Sequence, residues 1–161
     1  MADRAKAKSD LQVVARNKRA RFEYELGETY EAGIVLIGSE ARALRDRAAD
    51  LTDSWVEVDG RREAWLKGMR IPELRHAAFG HEEKRPRKLL LHERELVELA
   101  TAISREGMTA VATRCYFKGG RLKVEVAIAR GRKQHDKRRA VREREAAREA
   151  QAAMRDRKSV V

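Results

Sequence analysis

The clearest hydrophobic pattern in the chain is a strict alternation late in the sequence. Aliphatic side chains occupy every second position from Leu122 to Ile128, and polar or small residues, among them Lys123, lie between them. A period of two predicts a strand with one buried face and puts Lys123 on the other face. Residues 108–117 predict a preceding strand, and the glycines in residues 118–120 predict the turn that joins the two.

Other segments predict further short elements upstream of this hairpin. The β-formers of residues 30–37 indicate a strand, and residues 22–26 are the candidate for one more. Ser39 fits the N-cap of a short helix. Residues 93–106 place leucine and isoleucine at helical spacing and predict the best helix of the body. Both prolines fall within residues 70–87, which we expect to form a long surface connection.

Asp59 and Gly60 form a strong hairpin signal in the middle of the chain. The runs on either side predict two strands, which carry Trp55 and Trp65. We expect both tryptophans to pack in the core rather than to stack on bases. Five or six short strands with interspersed helices predict a mainly β fold, either a small barrel or a curled antiparallel sheet with helices packed at its ends.

Charge is unevenly distributed along the 161 residues, whose net charge is +11. Residues 1–21 contain seven basic and two acidic side chains, residues 132–161 contain eleven and five, and the segment between them is balanced. We therefore expect a flexible basic arm at residues 1–16, a folded domain at residues 17–131 and a basic tail at residues 132–161. Cationic ends on a neutral body predict a polyanionic partner. Nucleic acid is favoured over an anionic membrane, because the tail lacks an apolar stripe.

The tail is rich in helix-forming residues but carries like charges at helical spacing. Arg138 and Arg142 would repel each other across one helical turn, as would Arg144 and Arg148. An isolated helix of this length is marginal even without such repulsion. We expect the tail to be disordered when free and to become helical when phosphates neutralise it.

The sequence contains no catalytic or metal-binding pattern. Its four histidines form no pair at helical spacing, and one cysteine cannot supply a zinc cluster. Cys115 lies within a predicted strand, where a buried thiol is expected. Gly33 and Gly38 have the spacing of a phosphate-binding loop, but Ser39 and Glu40 follow where a lysine and a hydroxyl residue are needed. We therefore expect no enzymatic activity, no metal and no cofactor.

The sequence also bears on location. No apolar run approaches the roughly 20 residues that span a bilayer. The basic N-terminal stretch has no apolar segment after it, unlike a secretory signal, and a lone cysteine fits a reducing compartment. We expect the protein to be cytoplasmic.

Seven short segments, taken together, resemble the SsrA-binding protein family, SmpB. They are residues 17–21 (NKRAR), 30–34 (YEAGI), 38–40 (GSE) with 44–45 (LR), 53–54 (DS), 87–92 (RKLLLH), 116–118 (YFK) and 131–138 (GRKQHDKR). They occur in the family's order and spacing over nearly the whole chain. No single segment is diagnostic alone, but the ordered set is very specific.

The resemblance implies an oligonucleotide-binding-like (OB-like) antiparallel β-barrel with about three flanking helices and a basic C-terminal tail. It also implies a role in trans-translation, in which the protein binds the tRNA-like domain of transfer-messenger RNA (SsrA) and brings it to stalled ribosomes. The tail would then be helical in the empty mRNA channel, next to the decoding region of the small subunit. Elongation factor Tu is implied as a partner during delivery. The protein itself would perform no chemical step.

The resemblance also implies functional residues. Those at the RNA-binding face are Asn17, Lys18, Arg19, Glu31, Leu90, His92 and Lys123. Those at the start of the ribosome-engaging tail are Gly131, Arg132, Lys133, His135, Asp136, Lys137 and Arg138. Two roles stay open: His92 could cap a helix or contact RNA, and Glu31 could accept from a base edge or 2′-hydroxyl, orient a basic neighbour, or form a rim ion pair.

The sequence departs from the family pattern at two places. Phe22 stands where the family usually has histidine, which would replace a hydrogen bond by stacking. Residues 82–86 differ from the usual Asp-Pro-containing lead into the segment at 87–92, so no function is carried onto them.

Two other functions are compatible with the composition. One is a general nucleic-acid-binding or ribosomal-RNA-binding protein that uses its basic ends without a specific target. The other is an RNA-processing enzyme, which would change bound RNA covalently.

Overall fold

The computed structural model describes residues 11–46, 49–73, 81–132 and 134–159, and for residues 46, 134–140 and 155–159 it describes the backbone only. These ranges contain seven strands and four helices. In chain order they are β1 (Gln12–Arg16), α1 (Ala20–Glu23), β2 (Tyr24–Ile34), α2 (Gly38–Asp46), β3 (Trp55–Val58), β4 (Ala64–Lys67), β5 (Arg87–Leu90), α3 (Glu93–Ile103), β6 (Met108–Lys118), β7 (Arg121–Gly131) and α4 (Gln134–Ser159).

The strands form one antiparallel sheet in the order β1-β6-β7-β2-β5-β4-β3. Its centre is the β6–β7 hairpin, in which Lys118 pairs with Arg121. The two-residue turn between them consists of Gly119 and Gly120, at φ of 58° and 77°. Turns of this type need positive φ at both central positions, which glycine adopts without strain. The hairpin predicted from the alternating pattern is thus confirmed, and so is the smaller β3–β4 hairpin.

The mainly β, antiparallel fold class is confirmed, but the sheet is not closed into a barrel. Among the described residues, β1 and β3 are the two edges and do not pair with each other. Strand β3 packs close to β6, so the sheet curls around the core. Closure fails because β6 already pairs with β7 along one edge and with β1 along part of the other.

The strand β1 corrects the predicted extent of the N-terminal arm. Gln12–Arg16 were expected to be part of a flexible arm, but they pair with β6. The reason is that Val14 and Ala15 pack against the core, which offsets the ordering cost of the segment. Residues 1–10 of the predicted arm lie outside the described residues.

Two expectations about burial are also wrong. The connection at residues 70–87 is not confined to the surface, because Ile71, His81 and Arg87 are buried. Trp55 does not pack in the core: it is 41% exposed, since it shares a strand face with Glu57 while the alternate residue Val56 points inward.

A buried ion pair fastens this connection to α2. Glu40 and Arg87 both have fully buried side chains and form a salt bridge. Arg87 also donates to the backbone oxygens of Met69 and Glu83, at 2.7 and 3.1 Å. Burial alone would raise the pKa of Glu40, but hydrogen bonds from Arg85, the Ile37 backbone N–H and Arg87 outweigh it and lower that pKa. The pair therefore holds the start of β5 against the core as two charges.

The tail is helical over α4, and its described side chains, those of residues 141–154, are exposed. Disorder of the tail in the free protein stays a prediction, because a helix without a buried face has little besides its own backbone bonds to stabilise it.

Candidate nucleic-acid interface

A row of paired residues crosses the outer face of the sheet. Tyr116 on β6 pairs with Lys123 on β7, Lys123 pairs with Gly33 on β2, and Gly33 pairs with Leu90 on β5. Directly paired residues point to the same side of a sheet. The register therefore brings Lys123 and Leu90, which are 33 positions apart in the sequence, to opposite sides of one glycine.

A shallow hollow lies along this row, with a volume of about 330 Å³. It is lined by Glu31, Gly33, Leu90, Leu91, His92, Glu95 and Lys123. Gly33 keeps its floor open, since a Cβ atom there would lie 3.3 Å from the Leu90 Cβ. Four of the seven residues expected at an RNA-binding face thus converge here: Glu31, Leu90, His92 and Lys123.

Glu31 enters the hollow as an ionised acceptor. The Tyr116 hydroxyl donates to its Oε2 atom, and the Lys118 Nζ atom lies 3.4 Å from its Oε1 atom. The hydrogen bond from Tyr116 lowers the pKa of Glu31, with further lowering by Lys118 and Lys123 against the opposing effect of burial. The carboxylate therefore stays charged at neutral pH and can only accept hydrogen bonds.

Leu90 and His92 border the hollow from the end of β5. Leu90 is 53% exposed, so it presents an apolar patch beside the charged groups. His92 is the N-cap residue of α3, and its backbone N–H donates to the Glu95 Oε1 atom at 3.1 Å. Its position confirms the capping interpretation, and its ring at the hollow keeps the RNA-contact interpretation as a prediction.

Asn17 is placed differently from the hollow residues. Its Nδ2 atom donates to the backbone oxygens of Leu51 and Ala112, at 3.1 and 3.0 Å, and its Oδ1 atom accepts from the Ala20 N–H. Both amide hydrogens are therefore used inside the protein. We expect Asn17 to hold the loop before α1 in shape, and its neighbours Lys18 and Arg19, which are exposed, to supply the charge.

A second concave surface, the basic groove, runs between the β1–α1 corner and the tail helix, with a volume of about 710 Å³. Its cationic lining residues are Arg16, Lys18, Arg21, Arg114, Arg144 and Arg148. Among the described residues only Arg114 has a carboxylate partner, Glu125, at 2.7 Å. The other cations leave the groove strongly positive, as a phosphate-binding surface requires.

Phe22 lies at the point where the tail meets the body. The Arg144 guanidinium carbon lies 4.4 Å from the centre of the Phe22 ring, which is cation–π geometry. A histidine at position 22 would offer a poorer π-face whenever it carried charge. The aromatic residue that departs from the family pattern therefore contacts the tail helix in this structure.

The predicted tail residues begin within the folded body. Gly131 is the last residue of β7 and pairs with Tyr24, and the Arg132 N–H donates to the Glu23 oxygen at 3.0 Å. His135, Asp136, Lys137 and Arg138 belong to α4, but their side chains lie outside the described residues, and Lys133 lies outside them entirely.

Groups that could carry chemistry are not assembled in the described part of the chain. No cluster of three or more His, Cys, Asp or Glu residues there could hold a metal ion. Cys115 is buried, as predicted, and burial raises the pKa of its thiol to about 12, so it is neither ionised nor accessible as a nucleophile. No helix in the described ranges is both long enough and apolar enough to cross a membrane.

Sequence reasoning missed two residues of the site, Tyr116 and Lys118. Both belong to a segment that resembles the family, but no role follows from that resemblance. The alternation along β6 puts them on one face, which the sequence indicates; the pairing of β6 with β7 that carries them to Glu31 is not indicated.

A curled β-sheet with an acceptor, a lysine and an exposed leucine in one hollow, flanked by a cationic groove and helix, defines a nucleic-acid-binding protein. The comparisons with known proteins make the class specific. Residues 14–156 match the family model described as SmpB protein, and the chain belongs to this family.

Curated relatives carry the name SsrA-binding protein. The chain is 54% identical to one from Sorangium cellulosum, with 92% of this chain and 91% of that protein covered. It is 49% identical to one from Azorhizobium caulinodans, with 98% and 99% covered. A solved structure described as "tmRNA-SmpB: a journey to the center of the bacterial ribosome" is 37% identical, with a TM-score of 0.65 over 81% of this chain and 95% of the other.

Proposed function

We propose that this protein is an RNA-binding adaptor of trans-translation, which binds the tRNA-like domain of transfer-messenger RNA and delivers it to stalled ribosomes. The observation that carries the proposal is the convergence of Glu31, Leu90, His92 and Lys123 in one hollow, in a chain matched to the SmpB family over residues 14–156. These four residues come from three strands and a helix N-terminus, and no function of the core requires them to meet.

The chemistry of the hollow suits a folded RNA better than a phosphate backbone alone. A lysine binds phosphate, but two carboxylates, those of Glu31 and Glu95, would repel it. Acceptors and apolar surface are what unstacked bases and 2′-hydroxyls engage in loops of structured RNA. The hollow therefore supplies specificity, while most of the affinity comes from cations elsewhere.

The basic groove and the tail supply that electrostatic part. Lysines and arginines that neutralise phosphates release counterions, so affinity falls with salt by about 0.7–0.9 log units per log unit for each phosphate contacted. We propose that residues 17–131 recognise the RNA and that the tail, from residue 132 onward, enters the empty mRNA channel near the decoding region. Elongation factor Tu is proposed as the partner during delivery, and the cytoplasm as the compartment.

The substitution Leu90→Asp tests the role of the hollow. Leu90 is half exposed, so the change should leave stability within about 0.5 kcal/mol. It adds a third carboxylate beside the RNA, and like-charge contacts at an interface cost several kcal/mol, so affinity for the tRNA-like transcript should fall at least about tenfold. Fluorescence anisotropy with the labelled transcript measures this.

Val97→Asp is the matched control, because Val97 is exposed on α3 and does not line the hollow. It should bind like the unsubstituted protein. Equal losses for the two variants would mean that added negative charge alone weakens binding, and the hollow would then have no special role. Intact RNA on a denaturing gel after incubation accompanies the assay; cleaved or modified RNA would contradict an adaptor that performs no chemistry.

A further inference from the structure

Glu31 is held from two sides by residues that have no RNA contact of their own in the proposed function. The Tyr116 hydroxyl donates to one carboxylate oxygen and the Lys118 ammonium lies beside the other. Glu31 remains 41% exposed in spite of these contacts, so it is oriented by the protein and still open toward the hollow.

Tyr116 is itself firmly placed. It is 3% exposed, and the Arg114 guanidinium carbon lies 4.9 Å from the centre of its ring. Arg114 is in turn paired with Glu125 at 2.7 Å. This chain of contacts leaves the hydroxyl little freedom to turn away from Glu31, which is the property a positioning residue needs.

The carboxylate keeps part of its hydrogen-bonding capacity for a ligand. An ionised carboxylate offers about four lone-pair sites, and Tyr116 and Lys118 occupy two of them. The free sites, one on each oxygen, can accept two parallel hydrogen bonds. The matching ligand is a planar group with two adjacent donors and a face for Leu90.

Among the nucleobases, guanine meets this requirement. Its Watson–Crick edge carries the N1–H and N2–H donors side by side. Adenine and cytosine each place a ring acceptor beside their amino group, and uracil has one donor between two carbonyl oxygens. That edge is free only when the guanine is unpaired, which is how loop bases are recognised in RNA.

We propose that Tyr116 and Lys118 are positioning residues for Glu31, and that the carboxylate they hold selects one unpaired guanine of the bound RNA. The guanine lies in the hollow with its donor edge on Glu31 and its face on Leu90, and Lys123 meets an adjacent phosphate. The inference rests on the proposed function and adds the identity of the recognised base. The lowered pKa of Glu31 agrees with it, because a neutral carboxyl group would lose one acceptor site.

The test replaces each unpaired guanine of the tRNA-like transcript, one at a time, by inosine, which lacks only the N2 amino group. At one position, affinity for the full-length protein should fall about tenfold, since one hydrogen bond to a charged group is lost. The same replacement should cause no further loss with Glu31→Gln. If no inosine position weakens binding, or if the loss is as large with Glu31→Gln, base selection by Glu31 is wrong.

Tyr116→Phe and Lys118→Met test the positioning role, with Tyr30→Phe as the matched control. Tyr30 also bonds a carboxylate, Glu98, but from the core side of the sheet. Without the Tyr116 hydroxyl, the pKa of Glu31 moves back toward 4.5, so affinity should decline as the pH is lowered from 7 to 5. The unsubstituted protein and Tyr30→Phe should decline less. His92, Glu95 and Lys123, which also face the hollow, are common to all these proteins and cancel in the comparison.

Parallel pH profiles for Tyr116→Phe and Tyr30→Phe would overturn the positioning role. If Tyr116→Phe does not fold, Lys118→Met decides, because Lys118 is half exposed and its loss does not threaten the core: a reduced inosine effect supports the role and an unchanged one contradicts it. Tight binding of the unmodified transcript by the unsubstituted protein is measured in the same series. The inference can therefore fail while the proposed function stands.

Discussion

Ending the chain after Arg132 is expected to abolish rescue of stalled ribosomes while transfer-messenger RNA binding largely remains. Gly131 and Arg132 are fastened to the body by β-pairing and by the bond to Glu23, so the cut leaves the sheet intact. The hollow is untouched, and only the phosphate contacts made by the tail are lost, each worth about 0.7–0.9 in the slope of log affinity against log salt. Addition of the tag to a peptide stalled on a message without a stop codon measures rescue, and anisotropy measures binding.

Two substitutions at one tail position separate the helix from its charge. Arg144→Ala and Arg144→Pro remove the same cation, including its contact with Phe22, but proline also breaks the helix at a cost of about 3 kcal/mol or more. Rescue should survive the alanine better than the proline variant if the tail acts as a helix. Loss of RNA binding together with rescue in the truncated protein would contradict the division of labour between body and tail.

Arg87→Met is expected to destabilise the protein more than any of the other single substitutions proposed for it. It leaves the Glu40 carboxylate fully buried without its main partner, and broken buried pairs of this kind cost about 3–5 kcal/mol. For a chain of this size each kcal/mol lowers Tm by about 2–4 °C. Thermal and urea unfolding followed by circular dichroism measure the change.

The double variant Glu40→Leu/Arg87→Met should recover much of that loss, because no charge is then left unpaired in the core. Lys67→Met, which breaks an exposed pair with Glu57, is the control and should cost less than about 1 kcal/mol. The double variant falling further than Arg87→Met alone would contradict the assignment of the loss to an unpaired charge.

The same pair gives the protein a pH dependence with a defined sign. The pKa of Glu40 is lower in the folded protein than its ordinary value of 4.5. Its contribution to stability is therefore complete above pH 4.5 and declines as the pH falls through the folded-state pKa. Replacing Glu40 should flatten the acid side of the stability profile, whereas Lys67→Met should leave the contribution of Glu40 in place.

The sequence predicts local elements well where pattern and turn chemistry agree. The alternation from Leu122 to Ile128 and the two glycines before it specify a hairpin, and Asp59 with Gly60 specifies another. The burial of Trp55 was predicted wrongly from residue type, although alternation with Val56 already put Trp55 on the outer face. Strand β1 was missed because its two valines lie in a basic segment whose partner is a hundred residues away.

Tertiary pairing is the part that sequence reasoning alone cannot supply. Nothing in residues 70–87 indicates that Arg87 finds Glu40, so the connection was expected at the surface. The hollow was predictable only as a set of residues: resemblance named Glu31, Leu90, His92 and Lys123, while the register of four strands brings them together. Tyr116 acquires its role through that register and not through its own segment.

Competition for RNA tests the central claim, that the body recognises one folded RNA and the cationic groups only add affinity. Labelled tRNA-like transcript, bound to the full-length protein at physiological salt, is challenged with excess bulk tRNA or duplex DNA. Specific sites exceed non-specific binding by about 10³-fold or more, so a hundredfold excess of competitor should displace little of the transcript. Displacement by an equal amount of bulk tRNA would contradict the account and indicate a general polyanion-binding protein.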